Sequence, residues 1–562
     1  MSLWEAKEFW MRDNIHWPRP VHPLFVSYGL IPVEVGSARA FEEWSMPSLK
    51  YAYLVLHGYV FQRIEPIGGD APPIMERFPF LFHLWRINPK LRSRVFGFGR
   101  FLNEKGFENH VHAWTEVWEP QAQKRLEPIR YFDRANASLE ELANHLDQCY
   151  DFLCWAWNPH TKVVMIGMYI RERWMQVCKK LLNLTEFEAY ELVQISDPAV
   201  FNTMNRLLTL ARRTAADPTI SEILSLPSEI ALDRLSNTWF KQELDQFLEV
   251  EGDRPADGFE FEPTWKEMPE MVVGIIKGLM DLDDSMTEDS DFQVYRLQRI
   301  NELRSTLTGE ERQKFDAWLE LAEQAHPLSE THDYLLMNVP LSHTRYDAIE
   351  AGRRLVQDRV LDGPEDTLFL YREELLSALR GNYNLASLKG LVAERKAEHT
   401  QNFSLVPPQT IGEMPIEPPL DVFPSIAAEG MKIFVKQASH IEVQQEASLD
   451  LSPEGELFGT PGSPGVAEGS ARIIHTAEEF HLVQEGEVLV CPLTTPTWTV
   501  LFPHVAALVT DSGGMLSHAA IVSREYRLPS VVGTINGTKI LHNGQRVRVD
   551  GAAGKVQVLK NS

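Results

Sequence analysis

Cysteine is scarce in this chain of 562 residues: Cys149, Cys154, Cys178 and Cys491 are all it has, and no two form a C-x-x-C pair. So few thiols cannot staple a chain of this length, and they read as reduced and mostly buried. Positive charge is in deficit too, with 54 Lys and Arg against 79 Asp and Glu and a formal charge of -25. Such a surface repels phosphate backbones and anionic lipid, so neither nucleic acid nor a membrane surface is an expected partner. No run approaches the ~18 apolar residues of a membrane span. The opening MSLWEAKEFWMRDN lacks the basic region and apolar stretch of a secretory leader, and a cytoplasmic protein is expected. No internal repeat of roughly 20 to 50 residues points to a solenoid or propeller. A G-x-x-x-x-G-K-[ST] phosphate loop is also missing.

What is present is the balance of a folded protein, 44% hydrophobic and 24% charged residues, and a prior of ~150 residues per domain suggests about three or four units. Residues 1–130 are rich in Trp, Phe and Pro, with short apolar runs such as Tyr51 to Leu56 and Gly58 to Phe61, and read as mixed strands and loops. From 131 to 402 the spacing predicts a mainly helical domain, with amphipathic segments at Leu139 to Trp157, Met165 to Leu182 and Arg312 to Ala325. Glu251 to Gly258 and Asp362 to Asp366 interrupt it as loops. Residues 403–456 read as a linker, because prolines at 407, 408, 415, 418, 419 and 424 exclude regular helix or central strand at its start. In residues 457–562 short strands are expected at Val488 to Cys491, Val505 to Thr510, Ser530 to Val532, Arg546 to Asp550 and Lys555 to Leu559, with one helix from Ser517 to Tyr526. The expected fold class is multidomain α+β.

Chemistry concentrates in Thr510-Asp-Ser-Gly-Gly-Met-Leu-Ser-His-Ala519, which runs strand, glycine turn, helix. Gly513 and Gly514 lack Cβ atoms, so the chain can turn sharply and let a phosphate approach the backbone. His518 falls in the first helical turn, where unpaired N–H groups and the helix dipole favour an anion on the imidazole. At a reference pKa of ~6.5 that ring is mostly neutral and nucleophilic at pH 7, whereas a serine hydroxyl would need a base.

Gly513-Gly-Met-Leu-Ser-His-Ala519 matches a Gly-Gly-x-x-[Ser/Thr/Cys]-His-[Ala/Thr] signature. With Gly462 to Arg472, Thr494 to Trp498 and Leu528 to Gly533, it resembles the mobile domain of the phosphoenolpyruvate-utilising family, which includes pyruvate phosphate dikinase, phosphoenolpyruvate synthase and rifamycin phosphotransferase. The resemblance implies a swivelling β/α domain in which His518 is phosphorylated. It implies phosphate-positioning roles for Gly513, Gly514, Ser517, Thr494 and Thr495, although a packing role serves Trp498 equally well. Residues 138–402 resemble the helical substrate domain of rifamycin phosphotransferase-like proteins, through Gly258 to Trp265, Leu328-Ser-Glu-Thr-His-Asp-Tyr334, Arg345 and Gly352 to Leu370.

No ATP-grasp region is apparent, so the resemblance points to relatives of phenylphosphate synthase, in which a separate ATP-grasp subunit binds ATP and Mg2+. The implied reaction takes ATP, water and a phenol or alkylphenol to an aryl phosphate, AMP and phosphate through phosphohistidine. His332 and Asp333 are candidates for the proton that the phenol loses, Arg345 for steadying the phosphoryl oxygens, and Trp265 for lining the acceptor pocket. A helix-start pair, a surface ion pair and a core aromatic are the bland readings of these residues. No metal is expected on this chain. His110 and His112 would share one face of a strand without a third ligand, His16, His22 and His160 read as loop packing, and the acidic run Asp281 to Asp291 has the wrong spacing for an EF-hand. The competing functions are an antibiotic phosphotransferase acting on a larger, rifamycin-like molecule, and a non-catalytic phosphohistidine scaffold.

Overall fold

The structure, a computed structural model, describes the chain apart from residues 1–3, 5, 15, 68–84, 194–197, 257–260, 281–289, 383–384, 413–419, 444–454, 476, 495–497, 499–500, 503, 515–516 and 560–562. A few further residues inside helices, His518 among them, are described by their backbone alone. The chain is multidomain α+β and divides into two compact units, one of Met1–Ile195 with Arg296–Lys436 and one of Ser196–Tyr295 with Gln437–Ser562.

The first unit is built around a helix of 44 residues, α1 (Leu139–Leu182). Its start is a capping box: the Ser138 hydroxyl accepts the Glu141 N–H at 3.2 Å, and the Glu141 carboxylate accepts the Ser138 N–H at 2.7 Å. Its end is Asn183 in the left-handed conformation. The two amphipathic segments expected on either side of Pro159 are therefore one helix. Pro159 removes one N–H from the ladder, and the Thr161 hydroxyl donates to the Trp157 carbonyl at 2.7 Å within the same turn.

Among the described residues three π-helical turns interrupt this unit, at Val26–Leu30, Trp114–Trp118 and Tyr334–Asn338. Each is followed by a helix with a proline at its start, Pro32, Pro120 or Pro340. The proline has no N–H to give, and the residue before it donates five residues back: Ile31 to Val26, Glu119 to Trp114 and Val339 to Tyr334. Strands in residues 1–130, β1 (Trp10–Arg12), β2 (Ser48–Leu56) and β3 (Tyr59–Pro66), form a sheet with β4 (Thr410–Ile411) from the expected linker, in the order β2-β3-β1-β4. The His57-Gly58 turn joins β2 to β3 with both residues at positive φ, as a two-residue hairpin requires. This region holds more helix than expected, including Ile31–Glu43, Pro89–Asn103 and Glu119–Arg130.

In the second unit, β5 (Glu456–Phe458), β6 (Thr460–Ser463), β7 (Val466–Ile473), β8 (Val488–Cys491), β9 (Ala507–Thr510), β10 (Ser530–Val532), β11 (Arg546–Asp550) and β12 (Lys555–Val558) form one sheet. Strands β7, β8, β9 and β10 are parallel neighbours in that order, and the flanking strands run antiparallel. Alternation along the strands sends Leu489, Cys491 and Leu508 to one face, packed with Phe240, Phe247, Trp265, Phe502 and Ala520. Val488, Val490 and Val509 line the other face with Leu541, Val547 and Val556. Residues 403–456 are less linker-like than expected, because Ser425–Val443 is helical. All four cysteines are buried and unpaired. No helix among the described residues is long and apolar enough to cross a membrane.

Candidate functional site

The glycine turn leaves the C-terminal end of β9, beside the loop that leaves its parallel neighbour β8. Ends of parallel strands are where α/β sheets present ligand-binding loops. The two loops are tied by the Asp511 N–H donating to the Cys491 carbonyl at 3.0 Å and the Ser512 N–H to the Pro492 carbonyl at 2.9 Å. Gly513 has φ +117, and a Cβ there would lie 2.7 Å from the Ser517 hydroxyl oxygen, so only glycine fits without displacement. Ser517 is the N-cap of α4 (His518–Glu525): its hydroxyl accepts the Ala520 N–H at 3.4 Å and donates to the Gly514 carbonyl at 2.8 Å. His518 is thereby fixed at the first helical position. Thr494 is buried in the β8 loop, Trp498 packs on Phe480 with ring centroids 4.9 Å apart, and Thr495 lies outside the described residues.

Asp511 anchors this turn from behind. Its carboxylate accepts the Thr538 N–H at 2.8 Å and also the Thr538 hydroxyl, joining the glycine turn to the short helix Gly537–Ile540. Burial pushes its pKa up to about 6, against the lowering effect of the Thr538 bonds and Lys539.

In the first unit, His332 and Asp333 end the short helix α2 (Leu328–Asp333), just before a π-helical turn. The structure adds a residue that sequence reasoning set aside: His160, next to Pro159 in α1, approaches the same carboxylate. His160 Nδ1 and His332 Nε2 both lie 3.3 Å from Asp333 Oδ1. Yet neither nitrogen, nor Asp333 Oδ1, makes a hydrogen bond of acceptable geometry. Trp157 meets the His160 ring edge-on at 4.3 Å, and Trp114 meets His332 at 6.0 Å. His332 is 1% exposed. Burial, opposed by Asp333 and the Leu328 carbonyl and helped by His160, lowers its pKa to about 4. For Asp333 burial acts upward, but His332 and His160 outweigh it and hold the carboxyl at about 2. The cluster thus sets a deeply buried, neutral His332 and a second imidazole, His160, around an ionised carboxylate whose side chain is 48% exposed.

The other candidates fall elsewhere. Arg345 is buried on α3 (Val339–Gln357), 3.9 Å from Glu365, and after burial and His399 it helps to hold the His22 pKa at about 4. Trp265 lies in the core of the second unit, stacked on Phe247 at 5.9 Å. His110, Val111 and His112 form a turn and not a strand, with His110 Nδ1 2.6 Å from the Gly106 carbonyl. Of the acidic run, residues 281–289 lie outside the described residues.

Residues 483–554 match the family model for the mobile domain of PEP-utilising enzymes. The C-terminal region is thus similar to the mobile domain of these enzymes. Residues 159–330 match the rifampicin phosphotransferase fourth domain. Over 99% of its length the chain is 24% identical to an uncharacterised phosphotransferase, YvkC, of Bacillus subtilis, covering 63% of that protein. Over the same share it is 28% identical to chondramide synthase of Chondromyces crocatus, covering 14% of that protein. It is 33% identical to a rifampicin phosphotransferase of Bacillus cereus over 38% of this chain and 21% of that one. The chain thus spans less than two thirds of the length of these curated relatives.

Proposed function

We propose that this chain is the phosphohistidine-bearing part of a dikinase-type phosphotransferase that phosphorylates the hydroxyl of a small aromatic, a phenol or alkylphenol. The observation that carries the reading is the coincidence, at the end of a central parallel strand of a PEP-utilising mobile domain, of Gly513 at positive φ, the Ser517 cap and His518 at the helix start.

A separate ATP-grasp subunit, holding ATP and Mg2+, supplies the phosphoryl group. In the loading step an imidazole nitrogen of His518 bonds to the β-phosphorus of ATP as the α–β P–O bond breaks and AMP leaves, and water then cleaves the β–γ linkage, which releases phosphate and leaves the β-phosphoryl group on His518. In the transfer step the P–N bond breaks as the phenol oxygen bonds to phosphorus, and the phenol proton leaves. The helix-start N–H groups and helix dipole favour the anionic phosphoryl group on His518. On the acceptor side, the His332–Asp333 cluster receives the phenol hydroxyl and takes up its proton. A phenol pKa of ~10 means that its deprotonation needs only modest help.

The test incubates the purified chain with β-labelled ATP, with and without an ATP-grasp protein from the same source, followed by phenol. Label on the chain that requires the second protein, and its passage to phenyl phosphate, is the expected result. Self-labelling by the chain alone, or a loaded chain that phosphorylates no phenol, overturns the donor or the acceptor half respectively.

A further inference from the structure

Among the described residues two clusters of metal-ligating side chains lie in the first unit, His145 with Cys149 and Asp347, and His160 with His332 and Asp333. The first already holds a cation. Asp347 Oδ1 is ion-paired with the Arg134 guanidinium at 2.7 Å and Oδ2 lies 2.5 Å from His145 Nδ1, so a fixed positive charge already sits where an ion would bind.

The second cluster differs in that its carboxylate faces two imidazoles and, among the described residues, no guanidinium. Its two imidazole nitrogens crowd one carboxylate oxygen at 3.3 Å without hydrogen-bond alignment. His332 Nε2, the nitrogen that faces Asp333, makes no hydrogen bond of acceptable geometry, although the side chain is almost wholly buried. A buried imidazole left unpaired costs free energy unless something else takes its lone pair. The spacing says what that is. Zinc bonds to imidazole nitrogen and carboxylate oxygen are ~2.0 to 2.1 Å long, so two ligands of a tetrahedral ion lie ~3.3 Å apart. All three donor atoms lie within 4.8 Å of one another.

We infer that His160, His332 and Asp333 bind a divalent transition-metal ion, of which zinc fits the donor set best. Two imidazoles and one carboxylate suit zinc and its neighbours and disfavour magnesium and calcium, which take oxygen donors. Half-exposed Asp333 gives the ion a way in. Three protein donors leave a fourth position for water or a hydroxyl, the arrangement of open sites and not of closed structural ones. The π-helical turns Trp114–Trp118 and Tyr334–Asn338 flank it, and such turns recur at functional sites. Binding by these three residues does not depend on the phosphotransfer reading.

The test uses the full chain without a histidine tag, stripped with chelator, loaded with Zn2+ or Co2+ and freed of excess metal by gel filtration. About one ion per chain by elemental mass spectrometry, with the visible bands of four- or five-coordinate cobalt, is expected. His332→Gln, His160→Gln and Asp333→Asn should each weaken binding at least tenfold, while the metal-free forms melt close to the metal-free parent. His160→Gln, at the partly exposed ligand, keeps the test meaningful if His332→Gln does not fold. A parent chain that retains no stoichiometric metal, or variants that retain it unchanged, overturns the inference.

Discussion

Asp347 is fully buried, with Arg134 on one oxygen and His145 on the other. His145 is sandwiched against Phe132 at 4.0 Å, and Arg134 extends to His343 Nδ1 at 2.5 Å. Removing one member of such a set leaves the others charged or unpaired in a poorly solvated place, and Asp347→Ala should cost about 3 to 5 kcal/mol. Urea unfolding at neutral pH measures it, and a loss under about 1 kcal/mol would show that the set contributes little. Residue-scale chemistry was legible in the sequence where it is local. Gly513, Ser517 and His518 sit within six positions of one another, so their turn and cap could be read from order alone. His332 and Asp333 stood out as neighbours, but His160 did not. Only the packing of α1 against α2 brings it to them, and no spacing in the sequence carries that contact.

At the scale of elements, the strands of the C-terminal domain were the most readable part. Val488–Cys491, Ser530–Val532 and Arg546–Asp550 fall on the expected residues because each is a short β-branched run between turn residues. The π-helical turns went unforeseen, since proline at a helix start reads as an ordinary first turn. Gly352 illustrates how closely elements meet: a Cβ there would lie 2.0 Å from the Pro364 carbonyl oxygen, where α3 crosses the 3-10 turn Pro364–Phe369. Backbone cannot yield as a flexible side chain does, so Gly352→Ala should destabilise by about 1 to 3 kcal/mol despite the better helix propensity of alanine. An unchanged melting temperature would contradict this contact.

Asp511 gives the phosphoryl loop a pH signature. With its carboxyl at about 6 in the folded chain and near 3.8 when unfolded, the folded state keeps a proton that the unfolded state has lost between those values. Its contribution is favourable below that window and declines as pH rises through it, by up to about 3 kcal/mol at ~1.4 kcal/mol per unit, less for the solvent that reaches its edge. The stability of the parent relative to Asp511→Asn should therefore fall between pH 4 and pH 6.5 (roughly the window set by the shift). A constant difference would mean that the carboxyl titrates normally.

For the whole molecule, the expected α+β reading, a helical region with a strand-rich C-terminal part, is the class observed. It did not anticipate that residues 196–295 cluster with the C-terminal domain, because amphipathic periodicity tells which face of a helix is buried and not against what. The proposed relay asks the mobile domain to serve a donor and an acceptor in turn, and every step passes through one imidazole. Intact-mass measurement of the chain after incubation with ATP and the ATP-grasp protein, with fragmentation to locate the modification, tests this most directly. The account predicts one added phosphoryl group on His518, labile to acid and stable to alkali, and a His518→Asn chain that folds, takes up no phosphate and phosphorylates no phenol. Phosphate found on another residue, or turnover by His518→Asn, would contradict it.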